Sequence, residues 1–75
     1  MMGKVQYYRI VVDCWRMFCK HLPAAMSGRA DWEALNGQAL KVGKQYGETK
    51  FVKSLIFAFL DEIERVQEER KRTNG

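Results

Sequence analysis

Histidine and proline each occur once in this 75-residue chain, and cysteine twice. Each shortage narrows what the chain can be. Cys14 and Cys19 stand five apart, about 140° around a helix, so they cannot easily bridge each other. There is no second Cys or Cys/His pair to complete a zinc site. Both cysteines are therefore expected to be reduced thiols of a cytosolic protein. His21 is the lone imidazole. Placed at a helix end beside Lys20, it reads as solvated or locally bonded rather than as a catalytic base. No glycine-rich phosphate loop and no nucleophile motif occurs. The acids Asp61, Glu62, Glu64, Glu68 and Glu69 are scattered around a helix and interleaved with arginines and Lys71, the pattern of a solvated face. The expectation is a protein that is not an enzyme and needs no metal and no cofactor.

Long apolar runs are missing too. The longest, Leu55 to Leu60, falls far short of the 18 or so residues that span a membrane. The apolar stretch after Lys4 is broken by Arg9 and Asp13, and no small-residue cleavage pattern follows it. A soluble, cytoplasmic protein without membrane contact is expected.

The chain does have aromatic bulk and helical periodicity. Two Trp, three Tyr and four Phe can build a dense core in one small domain, which at this length is otherwise marginal. The stretch VQYYRIVVDCWRMFCKHL (5–22) reads as a helix at about 100° per residue. Arg16, Arg9, Lys20, Asp13 and Gln6 share one narrow arc. Apart from His21, the remaining two thirds of the circumference is apolar, against roughly 100° for an ordinary surface helix. Arg9 and Asp13 form an i,i+4 pair on the wet arc. Pro23 is expected to end the helix.

A second helix is expected over about 30–46. Ser27 or Asp31 would be its N-cap, and Trp32, Leu35, Ala39, Val42 and Tyr46 its apolar stripe. Asn36-Gly37 and Gly43 weaken it. Ala30, Ala34 and Gly37 line up as a place for close helix approach. Gly47 ends it and Thr49 caps a third helix, 50–70. That helix carries the stripe Val52, Leu55, Ile56, Phe59, Ile63, Val66, and its polar end is held by Asp61–Arg65, Arg65–Glu69 and Glu68–Arg72. Residues 1–4 and 71–75 are expected to fray. The fold class is all-α: one domain, 1–75, a three-helix bundle with helices 1 and 3 as the long core pair.

Two function classes follow. In a three-helix bundle helix 1 has two neighbours, so part of its apolar arc is surplus. Phe57 also projects among Lys53, Asp61, Glu64 and Glu68. Contiguous surplus apolar surface marks an interaction site. Ile10, Cys14, Met17 and Phe57 are the expected interface residues of a non-enzymatic protein-interaction module. Its partner is a second copy, as a homodimer, or another protein. The alternative is a small nucleic-acid-binding protein. The first thirty residues carry five cations against Asp13, with Arg9, Arg16 and Lys20 as candidate phosphate contacts. Residues 42–56, VGKQYGETKFVKSLI, form a degenerate helix-turn-helix with Gly43 and Gly47 in place. Glu48 and Lys53 stand where that motif wants apolar residues, and the helix beyond is too apolar and acidic for a major groove.

Trp15-x-x-Phe18, Phe51 followed by Leu55, and the run Phe59-Leu60-Asp61-Glu62-Ile63-Glu64 resemble small uncharacterised helical proteins of phages and mobile elements in gut-type bacteria. The resemblance would cover most of the chain. It implies a genome context but no activity and no site.

Overall fold

A computed structural model describes residues 3–74, with the side chains of residues 73 and 74 outside that description. The expectations for residues 1, 2 and 75 lie outside the described residues. Three helices follow in order: α1 Lys4–Met26, α2 Trp32–Gln45 and α3 Lys50–Asn74. No strand occurs among the described residues. The chain is an all-α three-helix bundle, 48 × 19 × 18 Å in extent.

Helix α1 does not stop at Pro23, which lies inside it. A proline there removes one backbone bond, the one its N–H would have made to the carbonyl of Cys19, an exposed residue. Two gains offset the loss. Ala25 is fully buried, and the helix closes four residues later with a Schellman turn. In that turn Arg29 N–H donates to Ala24 O at 2.7 Å and Gly28 N–H to Ala25 O at 3.0 Å. Gly28 takes φ +73°, and a Cβ there would lie 3.4 Å from Arg70 Cγ. That distance is an ordinary van der Waals contact, so it is the left-handed backbone that asks for glycine here.

Helix α2 begins at the Asp31 cap, whose carboxylate accepts from Ala34 N–H at 3.1 Å. It runs unbroken through Asn36-Gly37. The close approach expected along Ala30, Ala34 and Gly37 is not made. Ala34 and Gly37 are exposed, and a Cβ on Gly37 would meet nothing within 4 Å. The helix ends in a second Schellman turn, Glu48 N–H to Gly43 O at 2.9 Å and Gly47 N–H to Lys44 O at 3.3 Å. Glu48 follows Gly47 into the left-handed region at φ 53°. Thr49 caps α3, its hydroxyl 3.4 Å from Val52 N. α3 stays helical to Asn74, past the expected end near residue 70.

The core joins one stripe from each helix. Ile10, Cys14, Met17 and Ala25 come from α1, Leu35, Ala39 and Val42 from α2, and Val52, Ile56 and Ile63 from α3. α1 packs chiefly on α3, and these two run parallel. Tyr7 meets Phe51, Phe18 meets Phe59, and Gly28 lies beside Arg70.

Three polar ties fix the rotation of the helices. His21 is buried, its Nε2 donating to Gln38 Oε1 of α2 at 2.9 Å. A buried imidazole left without a partner would be costly. The buried Gln67 of α3 accepts from Ala30 N–H at 2.7 Å and so holds the first connection down. The Asp13 carboxylate accepts from the Tyr46 hydroxyl at the end of α2, rather than pairing with Arg9 along its own helix.

Candidate protein-interaction face

The rotation of α1 decides which side chains can meet a partner. Ile10, Cys14 and Met17, expected at an interface, are each 0% exposed. They are core, and the expectation for these three is corrected. The surplus apolar surface of α1 lies on the opposite side. Asp13 reaches back to Tyr46 and His21 to Gln38, so the polar arc that seemed to mark the outside is turned partly towards α2. That rotation drives Ile10, Cys14 and Met17 inward and leaves the other half of the apolar arc in water.

The outward side carries Val5, Tyr8, Val12, Trp15, Cys19, Leu22 and Met26. The steps between them alternate three and four over the whole helix, the spacing of a coiled-coil seam. Val5, Tyr8, Trp15 and Met26 are 65%, 69%, 54% and 59% exposed. Cys19 is also exposed, and Val12 and Leu22 are half-buried. On the α3 side the stripe widens through Tyr7, Val11 and Phe51, all exposed. An aromatic ladder supports it from beneath. Trp15 leans on Phe18 with ring centres 5.8 Å apart, and Phe18 on Phe59 at 4.9 Å. The aromatic positions are thus held before any partner arrives. The opposite edge of the stripe is basic, with Arg9, Arg16 and Lys20 exposed.

Phe57, the fourth expected interface residue, is 60% exposed. It stands on the mouth of a shallow groove between α2 and α3 with Leu40, Leu60 and Lys53, over a floor of Ala39 and Ile56. This second apolar surface does not join the α1 stripe, which lies on the far side of α3's contact with α1. The segment 42–56 does fold as helix, turn, helix. Its second helix, however, spends Val52 and Ile56 on the core and presents Phe51 and Phe57 outward beside Lys50 and Lys53.

The titrating groups are structural in placement. Burial, followed by the neighbouring Asp13 charge, pushes the Cys14 thiol up. The hydrogen bond to Asp13 holds the Tyr46 hydroxyl above its usual range; burial and the Asp13 charge add to this, and Arg9 opposes it. On the surface of α3, Arg65 forks between Glu62, with contacts of 2.5 and 2.9 Å, and Glu69 at 2.7 Å. The bond from Arg65 lowers the Glu62 carboxyl. The expected Arg65–Glu69 pair is made, with Glu62 as the second partner. Among the described residues no group of three or more His, Cys, Asp or Glu is placed to hold a metal ion. None of the described helices is long and apolar enough to cross a membrane.

No family model matches the sequence, and neither a curated protein nor a solved structure is significantly similar to it. The resemblance to phage and mobile-element proteins is carried by the residues quoted for it alone.

Proposed function

We propose that the chain is a non-enzymatic protein-interaction module whose working surface is the outward stripe of α1. One observation carries this reading: seven apolar positions at alternating steps of three and four, four of them more than half exposed. Small monomers rarely keep a contiguous apolar surface of this length without a use, and such a stripe is shaped to receive another helix. Phe57 and Leu40 offer a second, smaller contact on the other side of the bundle.

A photo-crosslinking amino acid at position 15, introduced in the source cell, tests the reading. Discrete protein adducts, absent when the same group replaces the exposed Lys41, support it. Adduct patterns identical at positions 15 and 41, or no protein adduct at position 15, overturn it.

The alternative, nucleic-acid binding, draws support from the exposed Arg9, Arg16 and Lys20. Asp13, the one acid on α1, keeps its charge beside them while accepting from Tyr46. It requires affinity that falls steeply with salt. Its charge edge is three cations long, whereas the apolar stripe covers the whole helix, so protein interaction is preferred.

A further inference from the structure

We infer that the occupant of the α1 stripe is a second copy of this chain, with the two α1 helices packed antiparallel about a two-fold axis. The inference rests on the interaction reading above and names its partner.

A second copy matches the repeat of the stripe. A seam at alternating three and four steps stays in register only with a helix that repeats the same way. α1 of another copy does so by construction, and a two-fold contact lets one surface serve as both halves of the interface.

The exposed area of the stripe is of the size a dimer needs. Tyr7, Tyr8, Trp15 and Phe51 expose on the order of 100 Å² each, and Val5, Val11 and Met26 add roughly 200 Å² together. Each copy then contributes at most about 600 Å², or ~1,200 Å² for the pair, which just reaches the lower bound of specific stable interfaces. The association is therefore expected to be reversible and concentration-dependent.

The chemistry of the edges sets the direction. The two edges of the stripe differ: Val11 and Phe18 on the α3 side, Arg9 and Arg16 on the other. A parallel pair would set the apolar edge of one copy against the arginine edge of the other. An antiparallel pair sets apolar edge to apolar edge and joins α1 and α3 of both copies into a four-helix layer. Its cost is that the arginine edges also face each other, so added salt should tighten the pair by screening them. An acidic or phosphate-bearing partner would show the opposite trend.

Light scattering on the purified chain across concentration, at low and high salt, reads all three points. The expected mass rises from 8.8 kDa to twice that, with the midpoint moving to lower concentration as salt rises. Trp15→Glu should abolish the rise with helicity unchanged. Tyr8→Glu repeats the test at the most exposed position of the stripe should Trp15→Glu lose helicity. Lys41→Glu, at an exposed position of α2 away from the stripe, should leave the mass curve unaltered. Orientation is read by mild oxidation. With the two-fold crossing the middle of the stripe beside Trp15, an antiparallel pair sets the two Cys19 about 10 Å apart along the helix axes, beyond disulfide reach, whereas a parallel pair juxtaposes them. A monomer at every concentration and salt overturns the inference, as does a dimer indifferent to both glutamate variants. Abundant Cys19–Cys19 linkage overturns the antiparallel arrangement. A purified monomer that still gives protein adducts at position 15 in cells sinks only the self-pairing and leaves the interaction reading standing.

Discussion

Ile10 and Tyr8 lie two residues apart on α1 and point to opposite sides of it, so exchanging each for alanine measures which side is inside. Ile10 is fully buried in the core to which all three helices contribute. Truncating such a side chain costs about 2–5 kcal/mol, through lost transfer energy and the cavity left behind. A domain of this length has a total of about 4–11 kcal/mol to lose. Ile10→Ala should therefore lower the melting temperature by roughly 10–30 °C or leave the chain unfolded. Tyr8 keeps only about a third of its surface in contact with the bundle. At ~25 cal/mol per Å², that third is worth at most about 1.5 kcal/mol, and alanine's better helix propensity returns roughly 0.5. Tyr8→Ala should shift the melt by less than about 8 °C. Circular dichroism melts at low micromolar concentration provide the comparison. Repeating them at tenfold higher concentration separates the two effects again. The Ile10→Ala deficit stays constant, whereas the Tyr8→Ala deficit grows if the stripe binds a second copy, because association stabilises the folded state by mass action. A larger loss for Tyr8→Ala than for Ile10→Ala at low concentration would mean that α1 is rotated the other way, and the candidate face with it.

Three further expectations follow from the same geometry. Gly28→Ala should cost about 1–2 kcal/mol, because it forces a residue with a Cβ into the left-handed region, while Gly37→Ala, in open space within α2, should stabilise by about 0.5–1 kcal/mol; opposite signs in urea midpoints are the check. The Tyr46 hydroxyl is held above its ordinary value, so its bond to Asp13 contributes fully below about pH 10 and is lost as pH rises through the folded-state value; a stability–pH curve for Tyr46→Phe should therefore converge on the wild type only in strong alkali, and a constant gap at all pH values would refute that role. Cys19 should react with a thiol reagent in the native monomer and Cys14 only on unfolding, since Cys14 is buried and its thiol is pushed up; two fast equivalents per chain would contradict the core.

Much of the fold was legible in the residues. The stripes of α2 and α3 each have one apolar face and one polar face, so Leu35, Ala39, Val42, Val52, Ile56 and Ile63 could be placed inside from spacing alone. α1 offered no such contrast. It carries two stripes at helical spacing, one through Ile10, Cys14, Met17 and Ala25 and one through Tyr8, Val12, Trp15 and Leu22. Hydrophobicity cannot choose between them. The choice was made by polar groups. His21 sits in register with the inner stripe and is tolerated there because Gln38 is opposite it. Asp13 looked like Arg9's surface partner, yet its partner Tyr46 is thirty-three residues away. Such long-range pairings have no local signature. Pro23 misled for a related reason. Its local preference was real, but the burial of Ala25 and the Gly28 closure outweighed one missing hydrogen bond. The surplus of apolar surface on α1 was visible in the sequence, whereas its direction depended on contacts with the other two helices.

The bond from Ala30 to Gln67 has a consequence for how the molecule is made. The turn that follows the first helix is fastened by a side chain near the far end of the third, and the first helix finds its main packing partner there as well. While the chain is being synthesised, the opening hairpin therefore cannot settle into its final form, and both apolar sides of its first helix stay open until the closing segment has emerged. At 5–20 residues per second that delay is a few seconds. During it the nascent chain presents the inner stripe of Ile10, Cys14 and Met17 as well as the outer one. This protein's period of greatest hazard thus falls during its own synthesis, when a holdase or a neighbouring nascent copy could capture it.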